Sequence, residues 1–466
     1  MYFFIYWLAA RSARWFYRHR EIAGAGLIPE SGATMLVASH GNDLPDILLT
    51  LLVTGRRVRF VANIAAANSI IGRFVYETIG VIPIARLRDA RAMITRGEDV
   101  AALNARAFVQ VSEALQRGEC VAIFPEGIVN DLPHLSPIQT GAARMALDAA
   151  AAFASAATGG SAAQSLSLVA IGFQYENSQQ WRTDCISVVG TPMRVDQWKP
   201  MHAEKAASEF TRVIQSQLQQ VTRNAATPAD ARALNSVAAA VGAVTCNATR
   251  SALAASHDAQ LLLTNARSAN GLFVAASNTS SAAEFILEQA AGALTNRLVA
   301  FRASPWSSID HAVALKAAGH ADVSVSFASV ARLLVLAPVA LTGWLYHAVP
   351  FWAAHAQGRR FAPRPVEVAA RTIMPGLYLI ALWYVTIPLA LLLAGISPWL
   401  VLTLLLCQPW LGDVALQWRD GVRERFLILR VRRAPLTERL QIISAANELR
   451  RLWHALHGAA RAAQQI

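Results

Sequence analysis

Between residues 32 and 195 the chain alternates short, largely apolar runs with longer stretches of helical period. ATMLVAS (33–39), RVRFVA (57–62), CVAIF (120–124) and LSLVAIGFQY (166–175) read as buried strands. Unbroken hydrophobicity, rather than alternation, is what a strand covered on both faces requires. Helical stretches near 43–54, 67–79, 101–117 and 138–156 separate these runs, and ATGGSAAQS (157–165) has the composition of a loop. The pattern predicts an α/β fold, a mostly parallel sheet covered by helices.

Beyond it the pattern changes. Residues 202–224 carry the period of one amphipathic helix, and Pro228 marks a boundary. An alanine-rich stretch with weak helical period runs from there to about 330. Residues 333–354 hold no Asp, Glu, Lys or Arg, and 372–412 form a second uncharged run of 41 residues. A membrane span needs roughly 20 apolar residues, so the second run accommodates two helices broken at Gly395-Ile396-Ser397-Pro398. The expected organisation is an interfacial membrane anchor (1–20), a catalytic domain (21–225), a helical Ala-rich region (226–330), membrane helices (331–415) and a basic tail helix (416–466).

Charge placement adds a topology. The connector 355–371 holds Arg359, Arg360, Arg364 and Arg371 against Glu367, and Arg419, Arg423, Arg425, Arg430, Arg432 and Arg433 follow the second run. The positive-inside rule puts both segments in the cytoplasm. That works if 372–412 is a two-helix hairpin and 333–354, with Pro338 and Pro350, is re-entrant or interfacial. The expected localisation is an integral membrane protein, with its catalytic domain on the cytoplasmic face of a bacterial inner membrane. At the N-terminus, eight of residues 2–17 are aromatic, with Arg11, Arg14, Arg18 and Arg20 among or after them. That mixture reads as rings at headgroup depth and guanidinium groups on lipid phosphates.

Composition narrows the classes. Hydrophobic residues make up 54% and charged residues 15%, with a formal net charge of +12. A basic, apolar chain suits anionic membrane lipids, and no zinc pattern or basic zipper supports nucleic-acid binding. Four scattered cysteines, without a Cys-x-x-Cys pair, argue against a disulfide framework and a zinc site.

Two constellations carry chemistry. Ser39-His40-Gly41-Asn42-Asp43-Leu44-Pro45-Asp46 follows an apolar strand and opens a helix, and loops at the C-terminal ends of strands hold the sites of α/β folds. Histidine titrates near neutrality and can take a hydroxyl's proton. A carboxylate behind it fixes the tautomer; Asp46 and Asp43 compete for that place. Phe124-Pro125-Glu126-Gly127 ends another predicted strand and puts a carboxylate on the same crest.

Together these motifs resemble the glycerolipid acyltransferases, the family of glycerol-3-phosphate and 1-acylglycerol-3-phosphate acyltransferases. The closest likeness is to the fungal-type membrane glycerol-3-phosphate acyltransferases. His40 and Asp46 match the first motif, with Asn42 as in the fungal type. Gly80-Val81-Ile82-Pro83-Ile84-Ala85-Arg86 resembles the second, with Pro83 in place of Phe. FPEG at 124–127 matches the third, and Val169-Ala170-Ile171-Gly172 resembles the fourth, with Ala170 in place of its usual proline. Gln139 stands where that subgroup usually has Lys.

The resemblance implies an O-acyltransferase of phospholipid synthesis, with acyl-CoA or acyl carrier protein as donor, a glycerol-phosphate-type acceptor and no cofactor or metal. It makes His40 the general base and Asp46 its orienter. Arg86 would bind the acceptor's phosphate, a role that guanidinium geometry suits. Glu126 and Gly127 would place the acceptor, with Asn42, Gly80, Phe124 and Pro125 in the surrounding substrate site. The alternatives are a lysophospholipid or dihydroxyacetone-phosphate acyltransferase, and a membrane scaffold with a relic domain. An α/β-hydrolase esterase would need a Gly-x-Ser-x-Gly elbow, which the sequence lacks.

Overall fold

A computed structural model describes residues 2–64, 76–85, 89, 93–96, 99–130, 132–158, 165–246, 252, 255–260, 278–304, 307–319 and 327–464. The chain divides into two compact units. The first comprises Met1–Arg14, Arg20–Tyr175 and Cys185–Asn224, and the second Trp15–His19, Glu176–Asp184 and Ala225–Ile466.

The first unit is built on a sheet of eight strands among the described residues: β1 (Tyr17–Ala23), β2 (Thr34–Ala38), β3 (Val58–Asn63), β4 (Ile82–Ile84), β5 (Cys120–Ile123), β6 (Ser167–Tyr175), β7 (Thr183–Val189) and β8 (Met193–Arg194). Their order is β1-β7-β6-β2-β5-β3-β4, with β8 also on β6. The pairs β6–β2, β2–β5, β5–β3 and β3–β4 are parallel, and β7 and β8 run antiparallel to β6. The expected mostly parallel α/β sheet is present, with an antiparallel flank. Every residue of β2 and β5 is buried, as their unbroken apolar runs require.

The covering helices are α1 (Tyr2–Phe16), α2 (Asp43–Thr54), α3 (Val100–Gln116), α4 (Gly141–Thr158) and α5 (Ala206–Val221). Asp43 and Asp46 lie in the first turn of α2, where carboxylates meet the positive end of the helix, and Gly55 ends it at φ 61°. α5 lies close on β6. A Cβ on Gly172 would come within 1.9 Å of the Val221 carbonyl oxygen, so only glycine fits there.

In α1, Ala9, Ala13 and Phe16 are buried while Phe3, Phe4 and Trp7 are exposed. The expected anchor helix ends at Phe16, and Arg18 departs from the expected phosphate contacts. It belongs to the second unit, where its guanidinium donates to Asp184 at 2.9 and 2.6 Å and to Asp310 at 2.9 Å.

The second unit is helical: α6 (Pro228–Thr245), α7 (Asn278–Ala300), α8 (Ser308–Gly319), α9 (Phe327–Phe361), α10 (Val368–Leu393), α11 (Pro398–Arg433) and α12 (Leu436–Gln464). The Ala-rich stretch and the C-terminal tail share one core. Leu234, Val241, Leu287, Leu294 and Leu298 pack with Ala314, Leu427, Val431, Leu449 and Trp453. Each fully buried leucine there contributes about 1.5–3 kcal/mol.

α9, α10 and α11 are each long and apolar enough to cross a membrane. Four residues, 394–397, join α10 to α11. The first half of α9 runs along α11, with Leu333 accepting from Trp418 Nε1 and Gly343 against Leu411. Its second half runs along α10, with Gly376 near Ala354 and Gly358 against Thr372. At the middle, Tyr346 donates to Gln408 and His347 pairs with Tyr384. Thr372 and Trp418 lie far from the 394–397 turn on their own helices, whereas Tyr384 and Gln408 lie nearer to it. α9 therefore packs against both legs of the α10–α11 hairpin, its first half on α11 and its second half on α10. It is one continuous helix of 35 residues, with Pro338 and Pro350 inside it.

A buried ionic cluster also lies within this unit. Asp184 accepts from Arg18 and pairs with His19, while Asp310 takes Arg18 and Arg423 (2.7 Å). Arg182 pairs with Asp420. Burial alone would push the Asp184 carboxyl up. Hydrogen bonds from His19 and Arg18, with Arg18's charge, outweigh burial and hold it well below the usual carboxylate range.

Candidate active site

β2 and β5 are adjacent and parallel, so the loops after them emerge side by side at one edge of the sheet. The first carries His40 and the second Phe124-Pro125-Glu126-Gly127. The chain order strand–loop–helix brings Asp46 back over His40, since α2 starts only three residues after the histidine.

The result is a closely pinned imidazole. His40 Nδ1 lies 3.0 Å from Asp46 Oδ2. The same oxygen accepts the Asn42 backbone N–H at 2.8 Å, and the other, Oδ1, accepts the Tyr175 hydroxyl at 2.5 Å. Asp46 is 0% exposed, so these donors replace all of its water. Phe124 stacks on the His40 ring with centroids 4.1 Å apart and planes 19° apart, and Phe60 continues the stack behind it. The His40 backbone N–H donates to Glu126 Oε1 at 2.8 Å.

With an anionic Asp46, Nδ1 carries the proton and Nε2 presents a lone pair. Among the described residues Nε2 has no hydrogen-bond partner. An imidazole held in plane, oriented from behind and open at Nε2 can accept a proton from a hydroxyl. Of the two competing aspartates, Asp46 is the one at the ring. Asp43 lies at the start of α2 with φ 39°, in the sparsely populated left-handed region.

Glu126 is bonded within the two loops. Oε1 holds His40, and Oε2 accepts from Asn130 Nδ2 at 3.2 Å and the Ser136 N–H at 3.1 Å. The carboxylate is 5% exposed and ties the two loops together. Gly127 allows the turn at φ 67°, and the Gln139 N–H donates to the Pro125 carbonyl at 2.7 Å. Asn42 is fully buried beside Asp46.

Gly80 lies elsewhere. It precedes β4 with φ 73° and lines a pocket of about 490 Å³ with Arg59, Tyr76, Glu113 and Arg117. Arg59, Glu113 and Arg117 lie towards the N-terminal ends of β3 and β5, while Tyr76 donates to the Asn63 carbonyl at the end of β3. Arg86 lies outside the described residues, two positions past the C-terminal end of β4. Tyr175 was not singled out from sequence. Its signal was positional: Ile171, Phe173 and Tyr175 share one face of β6, and β6 runs four residues beyond the partner of Ala38.

This loop-and-helix pair falls inside the segment 19–159, which matches the family model described as Acyltransferase. Over 126 residues, 26% of this chain, the sequence is 32% identical to glycerol-3-phosphate O-acyltransferase 2 of Saccharomyces cerevisiae. The match spans only 16% of that protein's length. Among solved structures, the 1-acyl-sn-glycerophosphate (LPA) acyltransferase PlsC from Thermotoga maritima is similar at 14% identity and TM-score 0.34, covering 47% of this chain and 78% of that one. The acyltransferase resemblance read from the motifs agrees with the family model and the yeast relative. The matched segment holds both His40 and Glu126, whereas Tyr175 lies past its end.

Proposed function

We propose that the protein moves a fatty acyl group from an acyl-CoA or acyl carrier protein thioester to a hydroxyl of glycerol-3-phosphate or 1-acylglycerol-3-phosphate, in phospholipid synthesis. The observation that carries this is the His40–Asp46 pair, with Nδ1 held at 3.0 Å and Nε2 open. Nε2 takes the acceptor hydroxyl's proton as its oxygen attacks the thioester carbonyl. A tetrahedral intermediate forms, the C–S bond breaks, and the imidazolium returns the proton to the departing thiolate. Asp46 keeps the imidazole in the productive tautomer and balances the imidazolium's charge. Backbone N–H groups are the natural oxyanion donors.

Glu126 acts by holding His40 and the 130–136 loop, while Arg86 is the sequence's choice for the acceptor's phosphate. The name of the yeast relative supports glycerol-3-phosphate as acceptor. The reaction as written uses no cofactor. The basic connector 355–371 and the arginines that end α11 support a topology in which both face the cytoplasm, near anionic lipids.

The test supplies membranes containing the protein with radiolabelled acyl-CoA or acyl carrier protein, and with glycerol-3-phosphate, 1-acylglycerol-3-phosphate, dihydroxyacetone phosphate and lysophospholipids in parallel. Transfer to either of the first two, abolished by His40→Ala, is the expected result. Transfer only to the others reassigns the acceptor. No transfer to any of them, or full activity in His40→Ala, overturns the reading.

A further inference from the structure

We infer that Tyr175 is a positioning residue for the catalytic pair: its hydroxyl keeps Asp46 anionic and fixed, so that the proton of the pair stays on His40. This rests on the reading of His40 as the base.

The geometry is specific. Asp46 has no exposed surface, and a bare carboxylate in such a place would be driven to take the proton from the imidazole beside it. Donors prevent this. Oδ2 has the Asn42 N–H and the His40 ring; Oδ1 has the Tyr175 hydroxyl at 2.5 Å, its only donor among the described residues. A hydrogen bond of this kind, from a hydroxyl to a charged oxygen, is among the strong ones.

Tyr175 is well placed to be rigid. It is the last residue of β6, pairs with Cys185 on β7, and shares a face with Ile171 and Phe173. Gln174, on the other face, accepts from Arg223 Nε at 2.7 Å, which fixes the strand end from that side. The other carboxylates at this crest are Glu126, which holds the His40 backbone rather than its ring, and Asp43 on the first turn of α2.

The sign of the effect follows from charge. The His40–Asp46 pair is anionic before it takes up a proton and neutral afterwards. Tyr175 stabilises the anionic form. Removing the hydroxyl therefore makes proton uptake easier, whichever of the two residues ends up holding the proton.

The experiment titrates the full chain in detergent micelles, labelled with ¹⁵N-histidine, with the His40 ring signals identified by their loss in His40→Ala. Tyr175→Phe should move the His40 titration upward by about one pH unit. Placing 3-fluorotyrosine, a more acidic phenol, at position 175 should move it downward by a few tenths of a unit. In Asp46→Asn the Tyr175→Phe shift should vanish. Unchanged midpoints in both Tyr175 forms, or a downward move in Tyr175→Phe, would overturn the inference. If Tyr175→Phe does not fold, the fluorotyrosine chain decides alone, since it keeps both ring and hydroxyl. Loss of the acyl-transfer reading, seen as full activity in His40→Ala, leaves the titration readout standing, so the two failures are separable.

Discussion

Two buried polar clusters, one in each unit, use the same chemical types to opposite ends. At the crest of the sheet, a histidine, two carboxylates and a tyrosine are bonded to one another so that one atom, His40 Nε2, is left without a partner among the described residues. In the helical unit, Arg18 bridges Asp184 and Asp310, His19 joins Asp184, Ser307 donates to Asp184 at 3.2 Å and Arg423 closes on Asp310. There the charges satisfy one another. A buried ion pair adds little stability over a well-packed apolar alternative, yet costs several kcal/mol once one partner is removed. The contrast teaches that burial and charge alone do not mark a reactive site. The mark is an oriented group with one valence left over.

The sharpest way to break the comparison is His40→Ala, which should lower acyl transfer about 10³-fold while shifting thermal unfolding by only a few degrees. A comparable loss of fold would mean that the crest is structural too. Asp184→Ala should do the reverse. It takes one of two carboxylates from Arg18 and the carboxylate from His19, and should cost about 3 kcal/mol of stability, read by denaturant or thermal unfolding in detergent.

The third prediction concerns His311, next to Asp310 in the same unit. Burial pushes its imidazole down to about 4, and the neighbouring Asp310 charge opposes this only in part. Its stabilising contribution is complete above the unfolded value of about 6.5 and is lost as pH falls towards 4, because only the unfolded chain binds the proton in that window. Unfolding midpoints should therefore drop between pH 6.5 and 4, by up to about 3 kcal/mol, and His311→Phe should flatten that slope. A slope unchanged in His311→Phe would assign the acid sensitivity elsewhere.

The smallest effect should come from Glu126→Gln. The amide keeps one acceptor but turns an N–H₂ towards a neighbouring donor, His40 N–H or Asn130 and Ser136. Activity should fall about 10- to 100-fold, with the acceptor KM less affected than kcat. A rise in KM alone would return Glu126 to the acceptor.

The halves of the crest were legible because each is local. A strand, a loop and a helix start are written in consecutive residues, so β2 with His40 and Asp46, and β5 with Phe124 and Glu126, could be read without knowing how they meet. The re-entrant reading of 333–354 came from charge placement alone; the structure shows one continuous helix, α9, packed on both α10 and α11. Arg18 misled because its aromatic neighbours suggest a lipid interface, while its partners lie 166 and 292 residues away.

By itself, then, the sequence determined the four central strands and the helix starts between them, and picked out His40 with its nearby aspartates as candidates, since hydrophobic period and loop chemistry are properties of neighbouring residues. Only the tertiary structure decided that Glu126 braces His40 across 86 residues and that Tyr175 reaches Asp46 across 129. Those bonds depend on which strands lie side by side and in what register. Sheet order is settled by packing many segments at once, and no local pattern records it.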